Sequence, residues 1–126
     1  MKLLLDSNAL YRFVAQPERL RASAFAAIAD PASDVFYSAV NLWELAIKRA
    51  KGMFTFDDRA MLQAVAEQDF HELQISTRHG LEAAALPPHH ADPFDRMLIA
   101  QARLEGLTLV TSDRVFWHYH VLLMEA

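Results

Sequence analysis

The chain contains no cysteine, which excludes disulfides, thiolate-bound zinc and a thiol nucleophile together. It has no apolar run long enough to cross a bilayer, because charge interrupts each hydrophobic stretch before the ~20 residues a membrane helix needs. Met1-Lys2-Leu3-Leu4-Leu5 starts like a secretion signal. Asp6 ends that run short of the ~7–15 apolar residues a signal carries, so a cytoplasmic protein with no membrane partner is expected. Positive charge is not in excess either. The formal net charge of −4 argues against a protein that coats a duplex. A nuclease with a small footprint is still allowed, since divalent cations offset clustered acids and Lys48, Arg49 and Lys51 form a local basic group. Repeats, low-complexity tracts and linkers are missing. The 126 residues, 53% of them hydrophobic, therefore read as one domain over residues 1–126, burying roughly two-thirds of its unfolded surface.

What is present is an alternation of short apolar runs and helical patterns. Lys2 to Leu5 suits a buried parallel strand. Ser7 or Asn8 caps a helix through Val14, Gln16-Pro17 breaks it, and an alanine-rich helix follows from Leu20 to Ala29. The turn cluster Asp30–Asp34 leads into a strand at Val35–Ser38. Ala39 to Lys51 reads as a helix ended by Gly52, with basic residues in its last turns as the helix dipole prefers. Asp57 starts a helix to about Asp69, Leu73–Ile75 is a short strand, and Ser76 opens a helix that stops at Pro87-Pro88. Asp92-Pro93 is a strong start signal, an N-cap acid with proline at the first helical position. That helix runs to Leu104 and ends at Gly106; strands are expected at Leu107–Val110 and Tyr119–Leu123. Such alternation predicts an α/β fold with a central, mostly parallel sheet of four to five strands flanked by helices.

Four acids stand at the edges of these apolar segments: Asp6, Glu44, Asp95 and Asp113. A carboxylate beside a hydrophobic run is costly unless something pairs with it. Asp6 and Asp113 follow strands, where sites form in open α/β sheets. Each also has a plain local reading, Asp6 as a helix N-cap and Asp113 as turn chemistry. Glu44 has an ordinary reading as an exposed pair with Lys48 at i, i+4, but Trp43 and Ile47 flank it closely and favour a semi-buried functional carboxylate. Asp92 is explained as an N-cap, so Asp95 is assigned to the site and Asp92 to structure, with an outer-ligand role in reserve. Gathered in one pocket, such oxygens suit hard divalent cations, the usual equipment for phosphodiester cleavage. All six histidines, including the adjacent His89-His90 and the spaced His118 and His120, read as structural or solvent-exposed. Trp117 and Tyr119 read as core or interface residues.

Together these segments resemble the PIN domain, and more closely the VapC-like ribonuclease toxins of bacterial toxin–antitoxin modules. The resemblance rests on Leu3–Leu10, on Ser38–Lys48, on Leu86–Ala102 with its Asp92-Pro93-Phe94-Asp95-Arg96 core, and on Leu107–Asp113 continued by Phe116 and Tyr119. The stretch from Leu86 to Ala102 is the most specific. The likeness thins between Met53 and Ala85. It implies a PIN-like fold and metal-dependent endoribonuclease activity that inhibits translation. The family's acidic set falls on Asp6, Glu44, Asp95 and Asp113, which would hold one or two Mg²⁺ or Mn²⁺ ions. Thr111 or Ser112 matches the polar position beside the last acid. Ser7-Asn8 departs from the threonine and histidine common in close relatives, which leaves open whether Asn8 meets water or substrate. Arg96 and Lys48, near catalytic acids, would hold a carboxylate or greet a phosphate. The implied partners are an RNA substrate, a VapB-like antitoxin whose C-terminal segment covers the site, and a second copy of the chain in a homodimer.

Rival readings are weaker on the same residues. A phosphoacceptor receiver domain needs paired acids after the first strand and a late lysine, where this chain offers one acid and Ser112-Asp113. A haloacid-dehalogenase-type phosphatase needs Asp-x-Asp there, and Asn8 fills the second place. A catalytically inactive PIN-like binding module is the remaining alternative.

Overall fold

The computed structural model describes every residue from Met1 to Ala126. Five strands, β1 (Lys2–Leu5), β2 (Asp34–Ser38), β3 (His71–Leu73), β4 (Thr108–Thr111) and β5 (Leu123–Glu125), form one sheet in the order β3-β2-β1-β4-β5. All four pairings are parallel, with Leu4 of β1 opposite Phe36 on one side and Leu109 on the other. Six helices accompany them: α1 (Ser7–Ala15), α2 (Ala22–Ala29), α3 (Ala39–Ala50), α4 (Asp58–Ala66), α5 (Thr77–Ala85) and α6 (Pro93–Glu105).

The central strand explains the layering. Successive side chains of a strand point to opposite faces, and Leu3, Leu4 and Leu5 are all wholly buried, so both faces of β1 must be covered. Leu3 and Leu5 pack with Val35 and Val110 against Leu10, Ile28, Leu45 and Val65, from α1 to α4. Leu4 packs with Leu109 against Leu98, Ile99, Ala102 and Phe116, chiefly from α6 and the C-terminal segment. Each wholly buried leucine contributes roughly 1.5–3 kcal/mol relative to exposure.

The elements match the sequence expectation in kind, with α1 capped by Asp6 in place of Ser7 or Asn8, α2 starting at Ala22 and β4 lying at Thr108–Thr111, and three further differences have a local cause. The helix after Asp57 stops at Ala66, and Asp69 adopts a left-handed φ of 60°, a conformation that non-glycine helices do not continue through. β3 lies at His71–Leu73 instead of Leu73–Ile75, because its pairing with β2 ends at Ser38–Leu73 and Ser76 already caps α5. The last strand lies at Leu123–Glu125 and not Tyr119–Leu123. Asp113 caps a 3₁₀ turn over Arg114–His118, and Tyr119 turns inward, its hydroxyl donating to Pro87 O at 2.7 Å.

The chain passes from β1 to β2 and β3 on one side, then returns to β4 on the other side of β1. This reversal opens a crevice beyond the carboxyl ends of β1 and β4, where open α/β sheets place ligands. Asp6 and Asp113 emerge at that crevice. The starts of α3 and α6 border it.

Candidate active site

Each site carboxylate is held by its local element. Asp6 follows β1 directly and caps α1, one oxygen accepting from Ala9 N at 2.7 Å. Asp92 caps α6 and accepts from the backbone N–H of Phe94 at 2.8 Å and of Asp95 at 3.4 Å. Asp95 sits in the first turn of α6. Asp113 gives one oxygen to Val115 N at 3.0 Å and faces His90 with the other. The capping and pocket readings of Asp6 and Asp113 are thus compatible, since a carboxylate has oxygens for both.

Glu44 is buried, 4% exposed, and wired into the sheet end. Ser7 Oγ donates to Glu44 Oε1 at 2.5 Å, and Asn41 Nδ2 donates to Ser7 Oγ at 3.1 Å. Asn41 Oδ1 in turn accepts from Ser38 N at 2.6 Å, closing a capping box at the start of α3. Lys48 Nζ lies 3.2 Å from the second Glu44 oxygen. The i, i+4 pair expected from sequence is therefore present, but it stands on a buried glutamate and not on a solvated face.

These side chains converge on one cleft of about 280 Å³. Its lining holds five carboxylates (Asp6, Glu44, Asp92, Asp95, Asp113) together with Ser7, Asn8, Lys48 and His90, and no hydrophobic residue. The crowding shows in the acidities. Burial, then the charges of Asp92, Glu44, Asp6 and Asp113, push the Asp95 carboxyl up to about 8. Burial, with a smaller contribution from Glu44, raises Asp6 to about 6 against the opposing hydrogen bonds of Thr111 and Ala9 and the charge of Arg12. Such a site is short of positive charge. Ligand oxygens of Glu44, Asp92 and Asp95 lie within 4.8 Å of one another, as do those of Asp95 and Asp113 with a ring nitrogen of His90. A hard divalent cation fits this donor set by both charge and ligand type.

Three features escape the sequence reading. His90 stands inside the cleft, with Nε2 3.0 Å from both Asp95 Oδ2 and Asp113 Oδ2, which corrects the expectation that all six histidines are structural or exposed. His90 Nδ1 accepts from Asp92 N at 3.2 Å, so in the neutral ring Nε2 carries the hydrogen and donates to Asp113. Ser7 and Asn41 are a second unforeseen layer, legible only as polar residues on an otherwise apolar helix face and strand end. Arg12 is the third. It contributes favourable charge to Asp6, and its Nη1 reaches Ser112 Oγ at 3.5 Å. Arg96 is a correction in the other direction. Its guanidinium donates to the carbonyls of Ala83, Leu86, Pro87 and His90 at 2.8–3.2 Å, so it ties the 83–90 loop to α6 instead of holding a carboxylate. The side chain of His79 is buried and bonded to Glu105 at 2.8 Å, as a structural histidine should be.

The PIN domain family pattern matches residues 3–121. Ribonuclease VapC22 of Mycobacterium tuberculosis is 33% identical over 115 residues, which cover 89% of this chain and 87% of that protein. Among solved structures, VapBC2 from Rickettsia felis bound to a promoter DNA fragment superposes with a TM-score of 0.77 at 16% identity, covering 100% of this chain and 99% of that one. DNA-bound VapBC from Salmonella typhimurium gives 0.69 at 18% identity, covering 99% and 98%. At these identities the solved structures speak for the fold, and the family match and the curated relative speak for descent. The chain belongs to the PIN domain family, among its VapC-like members.

Proposed function

We propose that this chain is a metal-dependent endoribonuclease that hydrolyses RNA phosphodiester bonds as the cytoplasmic toxin of a toxin–antitoxin pair, inhibiting translation. The observation that carries the reading is the convergence of Asp6, Glu44, Asp95 and Asp113 on one polar cleft at the sheet's switch point, where burial and then neighbouring charge push the Asp95 carboxyl up to about 8. These four residues, with Asp92 in support, would hold one or two Mg²⁺ or Mn²⁺ ions. A bound divalent cation supplies positive charge that makes water more acidic and offsets charge developing on the phosphate.

The chain's own residues set the conditions for that chemistry. Ser7 and Lys48 fix the two oxygens of Glu44, so its carboxylate cannot rotate away when charge enters the cleft. Thr111 and Ala9 hold Asp6 by hydrogen bonds, and the Asp92 cap fixes the first turn that carries Asp95. His90 orients Asp113 through its Nε2–H. Asn8 lines the cleft mouth, within reach of an incoming strand.

The solved neighbours are VapBC proteins, a family of toxin–antitoxin systems, and for this chain we propose a VapB-like antitoxin partner and a homodimeric toxin. Mapping cleavage sites on total cellular RNA tests the central reading. Native protein with Mg²⁺ should produce discrete cuts that vanish with chelator and with Asp6→Ala. Metal-independent cleavage, or cuts retained by the folded Asp6→Ala variant, would overturn it.

A further inference from the structure

We propose that Trp43 is a stacking platform for an unpaired RNA base next to the bond being cut, an inference that rests on the ribonuclease reading. Trp43 is the residue before Glu44 on α3, yet 58% of it is exposed. It is not loose. Its ring meets Phe94 edge to face, with centroids 4.9 Å apart and planes at 89°. Phe94 is the residue before Asp95 and packs on the core cluster of Leu4 and Leu98. The aromatic pair therefore bridges α3 and α6, each ring one residue before a site acid and about 100° round its helix from it.

The cleft itself explains why RNA would need such a face. Its lining offers five carboxylates and no apolar residue, and Lys48 is already engaged by Glu44. A chain of net charge −4 gains little from phosphate neutralisation, the term that dominates most nucleic-acid binding. Stacking supplies affinity without charge and tolerates any base. A protein partner is the competing occupant of an exposed tryptophan, but position favours RNA. The ring anchors on the same two helix turns that place the proposed catalytic acids, so a strand lying over the cleft brings a base to it.

The test uses the full chain carrying Trp117→Phe, which leaves Trp43 as the fluorophore, and Asp95→Asn, which prevents cleavage. A short single-stranded oligoadenylate should quench Trp43, and an abasic oligomer of equal length should not. In the otherwise native chain, Trp43→Ala should raise KM for single-stranded RNA about tenfold with kcat within about twofold, the size of one base–aromatic stack, and Trp43→Phe should recover most of the loss. The Trp43→Ala deficit should stay constant from about 50 to about 200 mM salt, because stacking releases no counterions. RNA cut by Trp43→Ala with unchanged KM would sink the stacking proposal and spare the ribonuclease. Quenching by oligoadenylate in a chain that cuts no RNA would sink the ribonuclease reading and spare the stack. A shift in oligomeric state on Trp43→Ala, seen by light scattering with RNA binding intact, would assign the ring to a protein interface instead.

Discussion

Replacing Asp95 by asparagine removes the carboxyl that burial and neighbouring charge raise most, while keeping its shape. In the unfolded chain this group loses its proton near 3.8, and in the fold it holds the proton up to about 8. Between these values the native state binds more protons than the unfolded one, so stability from this group is complete below about 3.8 and is lost as pH rises towards 8. At pH 7 the gap is 7 − 3.8 = 3.2 units. At ~1.36 kcal/mol per unit this is about 4 kcal/mol, an upper bound because neighbouring carboxylates share the load. Asparagine carries no such penalty. In chelator, Asp95→Asn should therefore match the native protein at about pH 4 and exceed it by up to ~4 kcal/mol at pH 7, a rise in melting temperature of roughly 15 °C for a domain of this size.

Thermal melts followed by circular dichroism at a series of pH values read this directly. The quantity that matters is the difference between variant and native protein, since other titrations largely cancel in it. It should widen steadily with pH until the native carboxyl has ionised. A difference of the same size at acid and neutral pH, or a destabilised variant, would show that Asp95 is not under charge pressure. The site would then have lost its main physical reason to take up a cation.

The same acidities couple metal to protons. With Asp95 near 8 and Asp6 near 6, Mn²⁺ binding at pH 7 should release about one proton per chain. Calorimetry in two buffers of different ionisation enthalpy measures that release, and zero release would contradict it. Ser7→Ala removes the donor to Glu44 and leaves Asn41 Nδ2 without its acceptor. It should cost about 1–3 kcal/mol in urea unfolding, and an unchanged midpoint would mean the network carries no energy. Arg96→Ala removes the guanidinium bonds to the carbonyls of residues 83–90. It should speed hydrogen exchange across that loop before it affects α6, whereas uniform acceleration along α6 would refute a loop-tethering role.

Helical geometry decides which parts of this site could be read from sequence. Lys48 is four residues after Glu44, and residues so spaced share a face, so the pair expected from the sequence forms at 3.2 Å. Arg96 is one residue after Asp95, a rotation of about 100° on a helix of 3.6 residues per turn, and this carries its guanidinium away from the acids to the loop carbonyls. Sequence adjacency suggested a shared role, and the helix denied it. Capping was legible for the same local reason, since Asp92, Pro93 and the first turn with Asp95 lie within four residues. Contacts between distant segments were not. Ser7 meets Glu44 across 37 positions and His90 meets Asp113 across 23, separations that no periodicity encodes. The two adjacent histidines part company: His90 enters the cleft while His89 packs against Tyr119 and His118. Sequence could not show this, because it depends on the strand order. Only the return of the chain to β4, beside β1, brings the loop before α6 against Asp113. A single histidine of the pair thereby becomes part of the acid site.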